Sequence, residues 1–110
     1  MSFGGHFAVY TIRGNRFLNG IIIAAQRKKL EKIVKESEVI KLNLKDAARY
    51  NMAGNKTKLI KKLKEVTDNI KSLLGEKELK NYSPNIKDEF KKMYDEAVCF
   101  LADVEGGFYP

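Results

Sequence analysis

The fold turns on one stretch, Lys56-Thr57-Lys58-Leu59-Ile60-Lys61-Lys62-Leu63-Lys64-Glu65-Val66-Thr67-Asp68-Asn69-Ile70-Lys71-Ser72-Leu73-Leu74. Leu59, Leu63, Val66, Ile70, Leu73 and Leu74 recur at steps of four and three, which a helical period of about 3.6 gathers into one apolar stripe. Lysines fill the opposite side, and Gly75 supplies a C-terminal stop. Downstream, Ser83-Pro84 reads as a helix start, because serine accepts orphan amide hydrogens and proline is pre-shaped for the first helical position. From Pro84 to Val104 the stripe returns in Ile86, Phe90, Met93, Ala97, Phe100, Leu101 and Val104, and it stops at Gly106-Gly107. Two stripes of similar length with a short polar connection predict an antiparallel helical hairpin, with Leu63, Val66, Ile70, Phe90, Met93 and Ala97 facing inward.

The amino-terminal half reads less uniformly. Phe7-Ala8-Val9-Tyr10-Thr11-Ile12 is rich in aromatic and β-branched residues, as a short strand is, and Arg13-Gly14-Asn15 reads as a turn. Residues 17–37 carry Ile22, Ile23, Leu30, Ile33 and Val34 at mostly helical spacing. Residues 38–42 suit a second strand that pairs with the first. Asn43 can then cap a short helix, Leu44 to Asn51, with Asp46 favourable to its dipole. The expected class is therefore mainly α: a small helical domain with an antiparallel helix hairpin and a minor two-stranded β element.

Composition sets the outer bounds. A chain of 110 residues, 44% hydrophobic and 32% charged, has enough apolar surface for one core and is read as a single domain, residues 1–110. Cys99 is the only cysteine, so no internal disulfide forms and a reducing, intracellular compartment (cytoplasmic or nuclear) is expected. The apolar run 17–25 is interrupted by Asn19 and Gly20 and falls short of the ~20 residues that span a bilayer, so no membrane partner is expected. Net charge is +7, distributed unevenly: residues 1–80 hold 18 Lys/Arg against 8 Asp/Glu, and residues 81–110 hold 3 against 6. The basic part suits a polyanion, although lysine-rich helix faces are often merely solvated.

Catalysis is not expected. His6 has no orienting carboxylate beside it in sequence, and general-base work needs a positioned partner. Cys99, between Val98 and Phe100, reads as a small buried hydrophobe. Gly54-Asn55-Lys56-Thr57 is close to the end of a P-loop, but its glycine and lysine are not adjacent and Arg49 occupies the position of the first glycine. No cofactor and no metal are implied.

One constellation stands out. Leu44-Lys45-Asp46-Ala47-Ala48-Arg49-Tyr50-Asn51-Met52-Ala53-Gly54-Asn55-Lys56-Thr57-Lys58-Leu59-Ile60-Lys61-Lys62-Leu63 pairs a leucine-lysine helix with a glycine turn, then Gly54, Lys56, Leu59, Ile60, Lys62 and Leu63 in register. This resembles the SAP domain, a short helix–turn–helix module used chiefly to bind DNA; the resemblance covers residues 44–63, and the element it implies spans residues 42–66. It implies that Leu44, Leu59, Ile60 and Leu63 are core, while Lys56 and neighbouring amides face phosphate. Lys62 stands where that family commonly has arginine, and the connection between the helices is shorter than usual. Independently of the resemblance, a helix amino terminus with lysines around it suits phosphate.

The candidate nucleic-acid-binding residues are therefore Lys45, Arg49, Gly54, Asn55, Lys56, Lys58, Lys61 and Lys62. The expected partner is nucleic acid, duplex DNA before others, bound through phosphates with weak sequence preference. The alternative is a non-catalytic protein-binding subunit, or an accessory or inhibitor protein of a larger assembly, of a kind viruses also encode. Its docking residues would be the terminal aromatics Phe3, Phe7, Phe108 and Tyr109.

Overall fold

A computed structural model describes residues 2–107 and 109. Five helices follow one another: α1 (Phe3–Arg27), α2 (Glu31–Met52), α3 (Lys56–Leu74), α4 (Lys77–Tyr82) and α5 (Pro84–Glu105). The four long ones run up, down, up and down around one core, with α4 filling the α3–α5 connection. The mainly helical class is as expected from the sequence. The predicted hairpin is present, and Leu63, Val66, Ile70, Phe90, Met93 and Ala97 are all buried.

The two-stranded element is absent among the described residues, and each of its parts is helical. Residues 7–12 lie in α1, whose buried positions are Phe7, Tyr10, Thr11, Gly14, Leu18, Ile21 and Ala25, at steps of three and four apart from the adjacent Tyr10 and Thr11. The segment looked strand-like because Val9 and Ile12 are β-branched and apolar but point outward, so both sides of it read as hydrophobic. Tertiary burial of the Phe7–Ala25 stripe outweighs the weak local preference of β-branched residues. Arg13-Gly14-Asn15 is no turn. A Cβ on Gly14 would sit 3.0 Å from Leu44 Cδ1 and 3.1 Å from Met93 Cε, so this glycine lets α1 approach α2 and α5.

Residues 38–42 and the region around Asn43 belong to the single helix α2. Its core stripe, Ile33, Ser37, Ile40, Leu44 and Ala47, is a regular alternation of four and three that a serine and an alanine conceal in the sequence. Asn43 sits mid-helix rather than at a cap. Conversely, the segment read as one helix over residues 17–37 breaks at Lys28-Lys29-Leu30. Lys29 takes φ 59, Leu30 N–H reaches Ala25 O at 2.9 Å and Lys29 N–H reaches Gln26 O at 3.1 Å, the paired bonds of a left-handed helix stop.

The α2–α3 turn uses the same device with the expected residue. Gly54 has φ 68, and Asn55 N–H reaches Tyr50 O at 2.9 Å. Asn55 then caps α3 by accepting from Lys58 N–H at 3.2 Å. At the start of α5, Pro84 occupies the first turn, but Ser83 makes no side-chain cap bond.

The first and last helices meet through aromatic rings. Phe3, Phe7, Tyr10 and Phe100 pack with centroids 5.2–6.0 Å apart, and Phe17 meets Phe90 edge-on at 5.0 Å. Tyr10 donates its hydroxyl hydrogen to Met93 O at 2.8 Å in the buried seam. Burial, then the charge of Glu96, pushes the Tyr10 hydroxyl far above its ordinary range, so it stays a donor. Among the described residues no helix is long and apolar enough to cross a membrane.

Candidate functional site

The candidate surface is built from the end of α2, the Gly54 turn and the start of α3. Within α2, Lys45 and Arg49 are four residues apart and exposed on one side. Within α3, Lys58, Lys61 and Lys62 share a side by the same spacing. Arg49 bonds Asp46 Oδ1 at 2.6 Å, and Lys62 Nζ approaches the other oxygen of the same carboxylate at 3.6 Å. Asp46 thereby draws cations of both helices together. Lys58 Nζ lies 5.6 Å from the centroid of the Tyr50 ring, a second crossing of the same seam.

Lys62 is held more firmly than the rest. Glu65 lies 2.9 Å away, and Lys62 donates to Asn43 Oδ1 at 3.4 Å. The hydrogen bond to Glu65 pushes its ammonium above its ordinary pKa; burial opposes this, and the charges of Glu65 and Asp46 reinforce it. Asn43 completes the seam by donating to Asn69 Oδ1 at 2.7 Å. Lys62 is thus a clasp between α2 and α3 more than a free cation.

The remaining sequence candidates divide. Lys45, Lys58 and Lys61 are exposed and enter no ion pair among the described residues, and Arg49 keeps 73% of its side chain exposed despite its pair. Lys56 leaves α3 two residues before Lys58, so it projects from a different side of the helix. Gly54 and Asn55 serve the turn and the cap. Asp46, Glu65, Asn43 and Tyr50 organise the face without having been identified from sequence as part of it. Their signal was the three- and four-residue spacing across two helices, visible only once α2 was known to be continuous.

The terminal aromatics are engaged within the chain. Phe7 is buried, and Phe3 packs on Phe7, Phe100 and Tyr109. Tyr109 donates to Asn51 O at 2.9 Å, tying the carboxyl end to α2. Phe108 lies outside the described residues. Phe3 and Tyr109 are half-buried, so these rings contribute to closing the bundle.

His6 and Cys99 line one open groove of ≈ 440 Å³ between α1 and α5, together with Asp95 and the Arg13–Glu96 pair. Cys99 is exposed, contrary to the buried position expected from its apolar neighbours, because the α5 core stripe passes through Met93, Ala97 and Val104. Among the described residues no three His, Cys, Asp or Glu side chains gather as a metal site. Compared with known protein families, characterised proteins and solved structures, the chain matches none.

Proposed function

We propose that this chain is a small, basic, non-catalytic protein that associates with nucleic acid, duplex DNA before others, through phosphate contacts of the α2–α3 face. The observation that carries the reading is that one carboxylate, Asp46, holds Arg49 of α2 and Lys62 of α3 together, with Lys58 over Tyr50 on the same seam and Lys45 and Lys61 exposed nearby in sequence. Two antiparallel helices then present cations on one face, and such a face gains affinity by releasing condensed counterions from the duplex. Sequence preference is weak, since lysines supply charge without base readout and Tyr50, half-buried beneath Lys58, offers no free stacking surface.

The SAP-domain resemblance supports the same reading in part. Leu44, Leu59 and Leu63 are buried, Ile60 packs on the core, and the turn falls at Gly54. The first helix of the resemblance is the end of the 22-residue α2 rather than a short separate helix. The test is a titration of the isotopically labelled chain with a mixed-sequence duplex at low salt. Amide shifts should concentrate on residues 45–62 and spare the acidic outer side of α5. No binding to duplex or single strand at low salt overturns the proposal.

A further inference from the structure

The outer face of α1 presents a second surface, on the corner of the bundle away from α3. Val9, Ile12 and Ile23 are 43%, 54% and 53% exposed. Their spacing puts them along one line of the helix, opposite the buried Phe7–Ala25 stripe, over a length of ~21 Å. Arg16 and Arg27 share that line. Between them, no atom of the described residues lies within 4 Å of where a Cβ on Gly20 would stand, so the helix carries an open glycine that no contact among those residues explains. A mid-helix glycine weakens a helix, and it is useful where another backbone comes close.

We infer that this face docks an acidic amphipathic helix of a partner protein. Charge decides the occupant. The whole of α1 contains no Asp or Glu, and Arg16 and Arg27 enter no ion pair among the described residues, whereas Arg13 is taken by Glu96 at 3.3 Å. A helix with an aliphatic stripe flanked by carboxylates matches both the apolar line and the unpaired guanidinium groups. A phosphate backbone would engage the arginines and gain nothing from three aliphatic side chains standing beside them. A second copy of α1 would set arginine against arginine. This surface is separate from the α2–α3 face, so the two proposals stand or fall independently.

The test is selection of a randomised helical-peptide display library against the full chain under reducing conditions, followed by binding of the enriched helix as a synthetic peptide. The enriched sequences should be acidic and amphipathic, and their amide shifts should map to Val9–Ile23. Ile12→Glu or Ile23→Glu should weaken binding by about tenfold or more, a hot-spot-sized loss. Arg16→Ala should weaken it less and reduce its salt dependence, and Lys58→Gln should leave it unchanged. Ile12→Ser, a milder change at an exposed position, gives the same direction if either glutamate variant fails to fold. The inference is overturned if no acidic helix is enriched, or if enriched helices bind Ile12→Glu and Ile12→Ser as well as wild type. It is equally overturned if phosphatidylglycerol vesicles or duplex DNA, rather than the peptide, shift α1, or if the free chain is a dimer that Ile12→Ser dissociates.

Discussion

Asp46 of α2 stands 3.6 Å from Lys62 of α3 while its other oxygen holds Arg49 at 2.6 Å, so one carboxylate orders the cations of two helices. The same carboxylate, like Glu65, repels a phosphate that approaches the face. Asp46→Asn should keep the fold, remove that repulsion and raise duplex affinity severalfold at low salt, as measured by fluorescence anisotropy. A fall in affinity would show that positioning Arg49 and Lys62 matters more than the charge removed.

The α1–α5 seam should be the most sensitive part of the core. Phe90 is fully buried against Phe17, and Phe90→Ala should cost ~3–5 kcal/mol in urea denaturation. Tyr10→Phe removes only the hydroxyl that reaches Met93 O and should cost ~0.5–1.5 kcal/mol. A loss below ~1 kcal/mol for Phe90→Ala would contradict the packing of α5 on α1.

Two backbone positions offer stabilising changes. Gly20 is helical with open space around it, so Gly20→Ala should add ~0.5–1 kcal/mol. Gly14→Ala should gain less, because its Cβ crowds Leu44 and Met93. Lys29 holds a left-handed φ of 59, and Lys29→Gly should add roughly 0.5–1 kcal/mol by relieving the Cβ clash, net of the chain entropy glycine brings. Thermal denaturation of the three variants side by side checks the order.

The hairpin of α3 and α5 was legible because leucine, isoleucine, valine and phenylalanine mark nearly every core position, and Pro84, Gly75 and Gly106 mark the ends. The first half was not, for three local reasons. Ser37 and Ala47 occupy core positions of α2 and hide its period. Lys29 makes a helix stop that sequence normally signals with glycine. Val9, Ile12 and Ile23 put aliphatics on the wrong side of α1. At the candidate site the lysines were visible as charge density, but their division was not. Lys62 is held in part by Asp46 and Asn43 of another helix, a fact that depends on how α2 and α3 pack.

A carboxyl at the α2 end near the α3–α4 connection predicts a pH effect. Burial, then the charge of Glu76 and its hydrogen bond, holds the Glu36 carboxyl above its ordinary pKa of 4.5. With the folded pKa above the unfolded one, the stability linked to this group is fully present below pH 4.5 and is lost as pH rises through the folded value. At neutral pH Glu36 is therefore unfavourable. Glu36→Gln should raise the urea midpoint at pH 7, and the gain should shrink toward pH 4. An equal gain at both values would assign the effect to packing instead of ionisation.

The most direct measurement of the central claim is the salt dependence of duplex binding by the wild-type chain and by Lys58→Gln/Lys61→Gln. Each neutralised phosphate contributes ~0.9 to the slope of log K against log salt, so a face using three to five cations predicts a wild-type slope of roughly −3 to −4.5. The double variant should fold normally, bind all duplex sequences more weakly by a similar factor, and show a slope shallower by ~1 for each phosphate it no longer neutralises. Affinity that is flat with salt, or a slope unchanged in the double variant, would contradict the assignment of the α2–α3 face to phosphate.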